Sequence, residues 1–275
     1  MKKPKKSKIC LKFLHSISFL TFLFLLYSPA LAQKGEFCLI YFTKVGCPYC
    51  AISDPIVLSK WLGEYPKLRI IEYLINDEEN SQLFEKYAYT YPKVYPYVPQ
   101  LIISQENVAI GLDQVVKVEK LINESEFNPC LLLEGQVNFS NLDLGLLPAH
   151  PKVWVGNKLI LPGSSRLNST LILELIESPD PASYLDSLGI AYQRIEPEII
   201  PISGGRGIKF EKALRIDDWV IEWNEYGAGK VVELSESSSE IQSYILLIFI
   251  ILLGLALLSG VLQRKVLKKK AAPKK

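Results

Sequence analysis

Two cysteines with two residues between them, Cys47-Pro48-Tyr49-Cys50, follow the apolar run Phe37 to Thr43 and open a stretch of helical pattern. Thiols at that spacing, at the end of a strand and the start of a helix, can form and break a small-ring disulfide. Helix N-termini favour negative charge, so the first thiol ionises below the roughly 8.5 of free cysteine and becomes an attacking thiolate. Lys44, three residues upstream, adds to that bias. The same spacing also occurs in zinc sites and structural disulfides, so the neighbouring residues have to decide.

The run Thr43-Lys44-Val45-Gly46-Cys47-Pro48-Tyr49-Cys50 resembles the active site of the thioredoxin/glutaredoxin superfamily, with its Pro-Tyr pair in the glutaredoxin form. Pro55 stands where thioredoxins kink their active-site helix. Val98-Pro99, ahead of Leu101 to Ile103, stands where the family places a cis-proline across from the sulfurs. The resemblance covers about residues 36–124 and implies a thioredoxin-like order of elements. That order is strand 37–43, helix about 48–63, strand 68–75, helix 78–87, a strand after Pro99, a turn at Asn107, strand 108–111 and helix 114–123. It further implies that Cys47 and Cys50 are catalytic, supported by Lys44, Pro48, Tyr49 and Pro99, with no cofactor. The implied partners are protein thiols and disulfides and a membrane or extracytoplasmic redox protein.

Two features depart from the family. Tyr41 lies six residues before Cys47, where thioredoxins keep a buried Asp that takes a proton from the second cysteine. The segment Tyr87 to Pro99 is long and tyrosine-rich, and its prolines at 92, 96 and 99 predict an extended, stiff course. It would form either a lip of the substrate groove or a loop packed on its own domain.

Positions 1–32 carry six lysines, an apolar stretch from Phe13 to Tyr27 and Ala30-Leu31-Ala32, the pattern of a secretory signal peptide. Tyr244 to Leu262 is uncharged and long enough to span a bilayer. Seven Lys and Arg residues follow it and predict a cytosolic end, leaving the bulk of the chain extracytoplasmic on a single-pass anchor. Formal charge is +2 overall, but the part between the tails carries 18 basic against 29 acidic residues, a balance of −11. That balance argues against a nucleic-acid partner, since phosphate binding needs a basic face.

Outside the signal peptide, which holds Cys10, remain Cys38, Cys47, Cys50 and Cys130, enough for two disulfides in an oxidising compartment. In a thioredoxin-like fold the first strand ends at the active site and the last helix runs away from it. Cys38 and Cys130 would then meet at the distal end and form a structural disulfide. Four cysteines on one zinc, or two buried thiols at Cys38 and Cys130, are the alternatives; no metal site is expected, because only one pair has the spacing.

Residues 131–240 show short β-type runs at 152–155, 190–195, 208–210, 219–223 and 230–234, with one helical run, Ser169 to Glu177. The stretch Pro151 to Ser178 echoes Pro99 to Ser125 in reading strand, strand, helix. Ser203-Gly-Gly-Arg-Gly207 lacks phosphate-loop spacing and reads as a hairpin turn. The single histidine past the signal peptide, His150, leaves triads needing a base histidine little to work with.

The expected chain is α/β: a thioredoxin-like fold with a central mixed sheet flanked by helices, a smaller β-rich domain and one C-terminal transmembrane helix. Its boundaries are signal peptide 1–32, thioredoxin-like domain 33–130, β-rich membrane-proximal domain 131–240, transmembrane helix 241–263 and basic cytoplasmic tail 264–275. The expected function is thiol-disulfide exchange with protein substrates through Cys47 and Cys50. A non-catalytic surface binding or assembly subunit and a glutathione-linked reductase of glutaredoxin type are the other readings.

Overall fold

The computed structural model describes residues 35–234. The signal-like segment and the apolar run 244–262 lie outside them. Among the described residues no helix is long and apolar enough to cross a membrane.

The chain folds as a mixed α/β structure around a nine-stranded sheet. Strand β1 (Phe37–Thr43) is buried at all seven positions. Such a run has no polar face to offer solvent, and its residues alternate between two cores. Cys38, Ile40 and Phe42 enter one core, with Tyr73, Phe84 and Tyr87. Phe37, Leu39 and Tyr41 enter the other, with Val57, Leu58, Trp61 and Ile70. Strand β2 (Leu68–Leu74) pairs parallel to β1, from Phe37 against Leu68 to Thr43 against Leu74. A parallel pair needs a long crossover, and the helical segment after Cys47 supplies it.

That segment is not one continuous α-helix over 48–63. It runs as α1 (Pro48–Pro55), a π-helical turn (Ile56–Lys60) and α2 (Trp61–Glu64). Pro55 lacks an N–H and its ring crowds the preceding turn, so the ladder widens where Pro55 interrupts it.

Helix α3 (Glu78–Thr90) starts at Asp77, whose side chain accepts from the Asn80 N–H. It is longer than the predicted 78–87, so Tyr87 to Thr90 are helical rather than extended. Strands β3 (Gln100–Ile102) and β4 (Val108–Ile110) form a hairpin on the other side of β1. Two short helices, α4 (Leu112–Val115) and α5 (Val118–Glu124), replace the single helix expected at 114–123. A small hairpin follows, β5 (Cys130–Leu132) with β6 (Gly135–Val137).

The sheet then continues past residue 130. Strand β7 (Lys152–Val155) adds antiparallel to β2, with Trp154 opposite Ile70, and hairpins into β8 (Lys158–Leu161). Helices α6 (Ser169–Glu177) and α7 (Pro181–Leu188) come next. Helix α7 has no expected counterpart in the sequence pattern, although Asp180 caps it, Pro181 sits at its first turn and Gly189 ends it in the left-handed conformation. The expected run 190–195 shortens to β9 (Gln193–Ile195), because the Ile190 N–H closes the end of α7 on the Leu185 carbonyl.

Strands β10 (Ile200–Ile202), β11 (Arg206–Lys209), β12 (Lys212–Ile216), β13 (Trp219–Trp223) and β14 (Lys230–Glu233) complete the chain. The large sheet has the order β4-β3-β1-β2-β7-β8-β13-β12-β9, and β10, β11 and β14 make a separate three-stranded sheet. Ile200, Ile202 and Ile208 of that small sheet, with Phe210 just after β11, pack into the core that holds Tyr41 and Trp61. The segments 99–125 and 151–178 both fold as an antiparallel hairpin followed by helix.

Candidate active site around Cys47 and Cys50

Strand β1 ends at Thr43, and the Lys44 to Gly46 turn is tied down by Asn76, which accepts from the Val45 N–H at 2.7 Å. Cys47 then takes the N-cap of α1 with extended backbone, and Pro48 occupies the first turn, where its missing N–H costs nothing. The Cys47 Sγ accepts a hydrogen bond from the Cys50 N–H at 3.1 Å. The sulfur therefore sits where a serine or aspartate oxygen would cap a helix, the position at which negative charge is best tolerated.

Cys47 and Cys50 form a disulfide, with Cα atoms 5.2 Å apart. Cys47 is partly exposed and Cys50 is fully buried. The Val98 carbonyl oxygen stands 3.8 Å from Cys47 Sγ, and the Val98–Pro99 bond is cis. Pro99 is buried, and its carbonyl accepts from the Gly111 N–H at 2.8 Å. Lys44 is exposed, and it joins the site through its carbonyl, which accepts from the Cys47 N–H at 3.3 Å. Tyr49 is 62% exposed beside the thiols.

Of the tyrosine-rich segment, Tyr87 and Tyr91 are buried, and their hydroxyls donate to the carbonyls of Leu131 and Leu132. Tyr95 and Tyr97 are exposed, and Tyr97 adjoins Val98. The segment thus divides: its start packs on the core, and its end stands exposed next to the residue that faces Cys47.

Asp54, one helical turn beyond Cys50, is 1% exposed beneath the site. It accepts from the hydroxyls of Tyr41 and Thr43, each at 2.7 Å, and from the Ser203 N–H at 3.0 Å. Burial raises its pKa above the usual carboxylate value, and these hydrogen bonds hold it partway back. Tyr41, at the position where the resemblance places a buried Asp, donates to this acid from β1. Burial and the neighbouring Asp54 charge push the Tyr41 hydroxyl well up. Glu72, opposite Tyr41 in the β1–β2 register, is a second buried acid. It accepts from Trp154 Nε1 at 2.7 Å and pairs with Lys152 at 3.4 Å, and burial raises its pKa too.

The turn between β10 and β11 grips the active-site helix. Besides the bond to Asp54, the Ser203 hydroxyl donates to the Lys44 carbonyl and Arg206 Nη2 donates to the Ala51 carbonyl. Gly204 has φ +80, and a Cβ there would come within 2.9 Å of the Ala51 Cβ, so only glycine lets the turn sit this close. Asp54, Ser203 and Arg206 are the residues missing from the sequence reading of the site. Only Asp54 left a signal there, as an acid at i+4 from Cys50 on one helix face.

The other pair, Cys38 and Cys130, is also disulfide-bonded, with Cα atoms 4.8 Å apart and both residues buried. Four cysteines thus form two separate bridges rather than one tetrahedral set. Among the described residues no cluster of three or more His, Cys, Asp and Glu side chains is arranged to hold a metal ion. In comparisons with known proteins, no family model, no curated protein and no solved structure matches this chain.

Proposed function

We propose that the protein is a thiol-disulfide oxidoreductase of the thioredoxin/glutaredoxin superfamily, held on a membrane by residues 241–263 with residues 33–240 on the extracytoplasmic side. The carrying observation is the Cys47 sulfur at the helix N-cap, accepting from the Cys50 N–H at 3.1 Å and partly open to solvent over a buried partner.

In the reducing direction, the Cys47 thiolate attacks one sulfur of a substrate disulfide. That S–S bond breaks, the leaving thiolate takes a proton, and Cys47 is joined to the other substrate sulfur. Cys50 then gives up its proton and attacks Cys47 Sγ. The substrate leaves as a second thiol, and Cys47–Cys50 holds the oxidising equivalents. Asp54, with its raised pKa and its place one turn beneath Cys50, is the group assigned to receive the Cys50 proton. Run backwards, the same steps donate a disulfide.

The experiment is trapping in intact cells. Cys50→Ser stops the sequence at the mixed disulfide, so it should accumulate reductant-sensitive adducts with other proteins in the membrane fraction, while Cys47→Ser yields none. Protease added outside should digest those adducts. An empty trap argues for a non-catalytic surface subunit, and adducts shielded from external protease argue against the orientation.

A further inference from the structure

At the end of the sheet away from the thiols, where Cys38 of β1 faces Arg69 of β2, a second polar site opens. It is a cavity of about 290 Å³, walled by Leu62, Arg69, Val155, Lys158, Ile176 and Glu177. Its volume is close to the lower bound of roughly 300 Å³ usual for small-molecule sites.

Lys158 is 5% exposed. Its ammonium has a single hydrogen-bond partner among the described residues, the neutral Asn157 Oδ1 at 3.1 Å, and no carboxylate within ion-pair distance. Lysine is almost never buried unless paired, because an uncompensated charge loses its hydration for nothing in return. Burial pushes its pKa below the usual lysine value, Glu177 draws it back up and Arg69 presses it down again. Arg69, its side chain 8% exposed, is held by Glu36 and by Glu177, each at 3.3 Å. Its Nη1 also donates to the carbonyl of Pro66 at 2.7 Å. The two carboxylates differ: Glu36 is 22% exposed and also accepts from the Ser140 N–H, whereas Glu177 is 72% exposed at the mouth of the cavity. Two buried cations therefore share the cavity with one carboxylate, Glu177, that is paired with Arg69 and largely exposed.

We propose that this cavity binds a small oxyanion, a carboxylate or phosphate group, against Lys158 and Arg69, with Glu177 turning out as it enters. The oxyanion supplies the negative charge that Lys158 lacks. Leu62, Val155 and Ile176 give an apolar wall for a short body attached to it. The site neither includes the thiols nor requires exchange chemistry at them.

The test is the rate of reductive methylation of Lys158 in the full chain, read by peptide mass spectrometry at constant ionic strength, with inorganic phosphate or benzoate replacing chloride. A buried amine with a depressed pKa reacts as the free base, and an oxyanion on it blocks the reaction. Saturable protection of Lys158 of about tenfold or more is expected, with exposed Lys86 methylated at an unchanged rate. Protection by phosphate alone identifies a free inorganic oxyanion as the occupant, and protection by benzoate an organic acid. Either supports the site. Glu177→Gln, which removes the competing charge, should lower the half-protecting concentration several-fold. The proposal is overturned by an unchanged Lys158 rate with both probes, by equal protection of Lys86, or by a half-protecting concentration that Glu177→Gln leaves unchanged or raises.

Discussion

Cys38 and Cys130 are joined across 92 positions of chain with both residues buried, whereas Cys47 and Cys50 are joined across 3 at a helix start where Cys47 meets solvent. The bond is the same; its surroundings and the loop it closes are not. In the chain-entropy model a loop of about 90 residues is worth roughly 4–5 kcal/mol, while a three-position loop constrains the unfolded chain very little. Capping geometry and a nearby buried acid belong only to the second pair. A cysteine pair is therefore assigned as staple or reagent by what it closes and what it faces.

The largest expected effect breaks the staple. Cys38→Ala with Cys130→Ala should lower the melting temperature by roughly 10 °C, from a loss of about 4 kcal/mol at a few degrees per kcal/mol, and leave exchange within about twofold of wild type. Calorimetry and an insulin-type reduction assay check both halves. Exchange lost together with stability would show that the two pairs are not separable.

Next in size is Asp54→Asn, which should slow resolution of the mixed disulfide by about tenfold or more near pH 7. The deficit should shrink as pH rises past the roughly 8.5 of an ordinary thiol, where Cys50 ionises unaided. Its sign in stability is opposite to that of an ordinary carboxylate. Because burial raises the folded pKa, the folded chain holds this proton more tightly than the unfolded chain. That contribution is complete below the ordinary value of 3.8 and fades as pH climbs through the folded value. Melting temperatures from pH 4 upward should fall less steeply in Asp54→Asn than in wild type. A parallel fall, or a rate deficit constant with pH, removes Asp54 from the proton path.

The smallest expected effect comes from Arg206→Met, which removes the bond to the Ala51 carbonyl. It should cost about 1 kcal/mol of stability and slow alkylation of reduced Cys47 a few-fold, without altering Cys38–Cys130. Unchanged Cys47 alkylation would mean that the turn stabilises the helix without tuning the sulfur.

What could be read from the sequence divides along the same line as the two pairs. The surroundings of Cys47 are local, and the strand run, the capping position and Pro48 all lie within about a dozen residues of one another. The acid was also local in position, but its meaning was not. Asp54 is explained by Tyr41 and by Ser203, the latter 149 positions away. No periodicity in one sequence reports such a contact. The sheet beyond residue 130 was legible as scattered β runs and not as an extension of β2, because its strands are three to five residues long and carry polar residues such as Lys158, Arg215 and Glu222. Short strands of that kind leave too few alternations to show which face is buried. Helix α7 was hidden differently: its eight residues include two serines and an aspartate, so its caps were stronger than its stripe.

The hold of the β10–β11 turn on α1 also fixes where the chain leaves the folded body. The Leu234 N–H donates to the Gly205 carbonyl at 2.8 Å, so the last described residue is fastened to the turn that grips the thiol helix. Nine residues, 235–243, separate it from the apolar run that begins at Tyr244. Fully extended, a chain of that length reaches about 30 Å. On the proposed topology the thiols patrol a thin shell above the bilayer, and a disulfide tethered in the same membrane meets them at a far higher effective concentration than one in free solution.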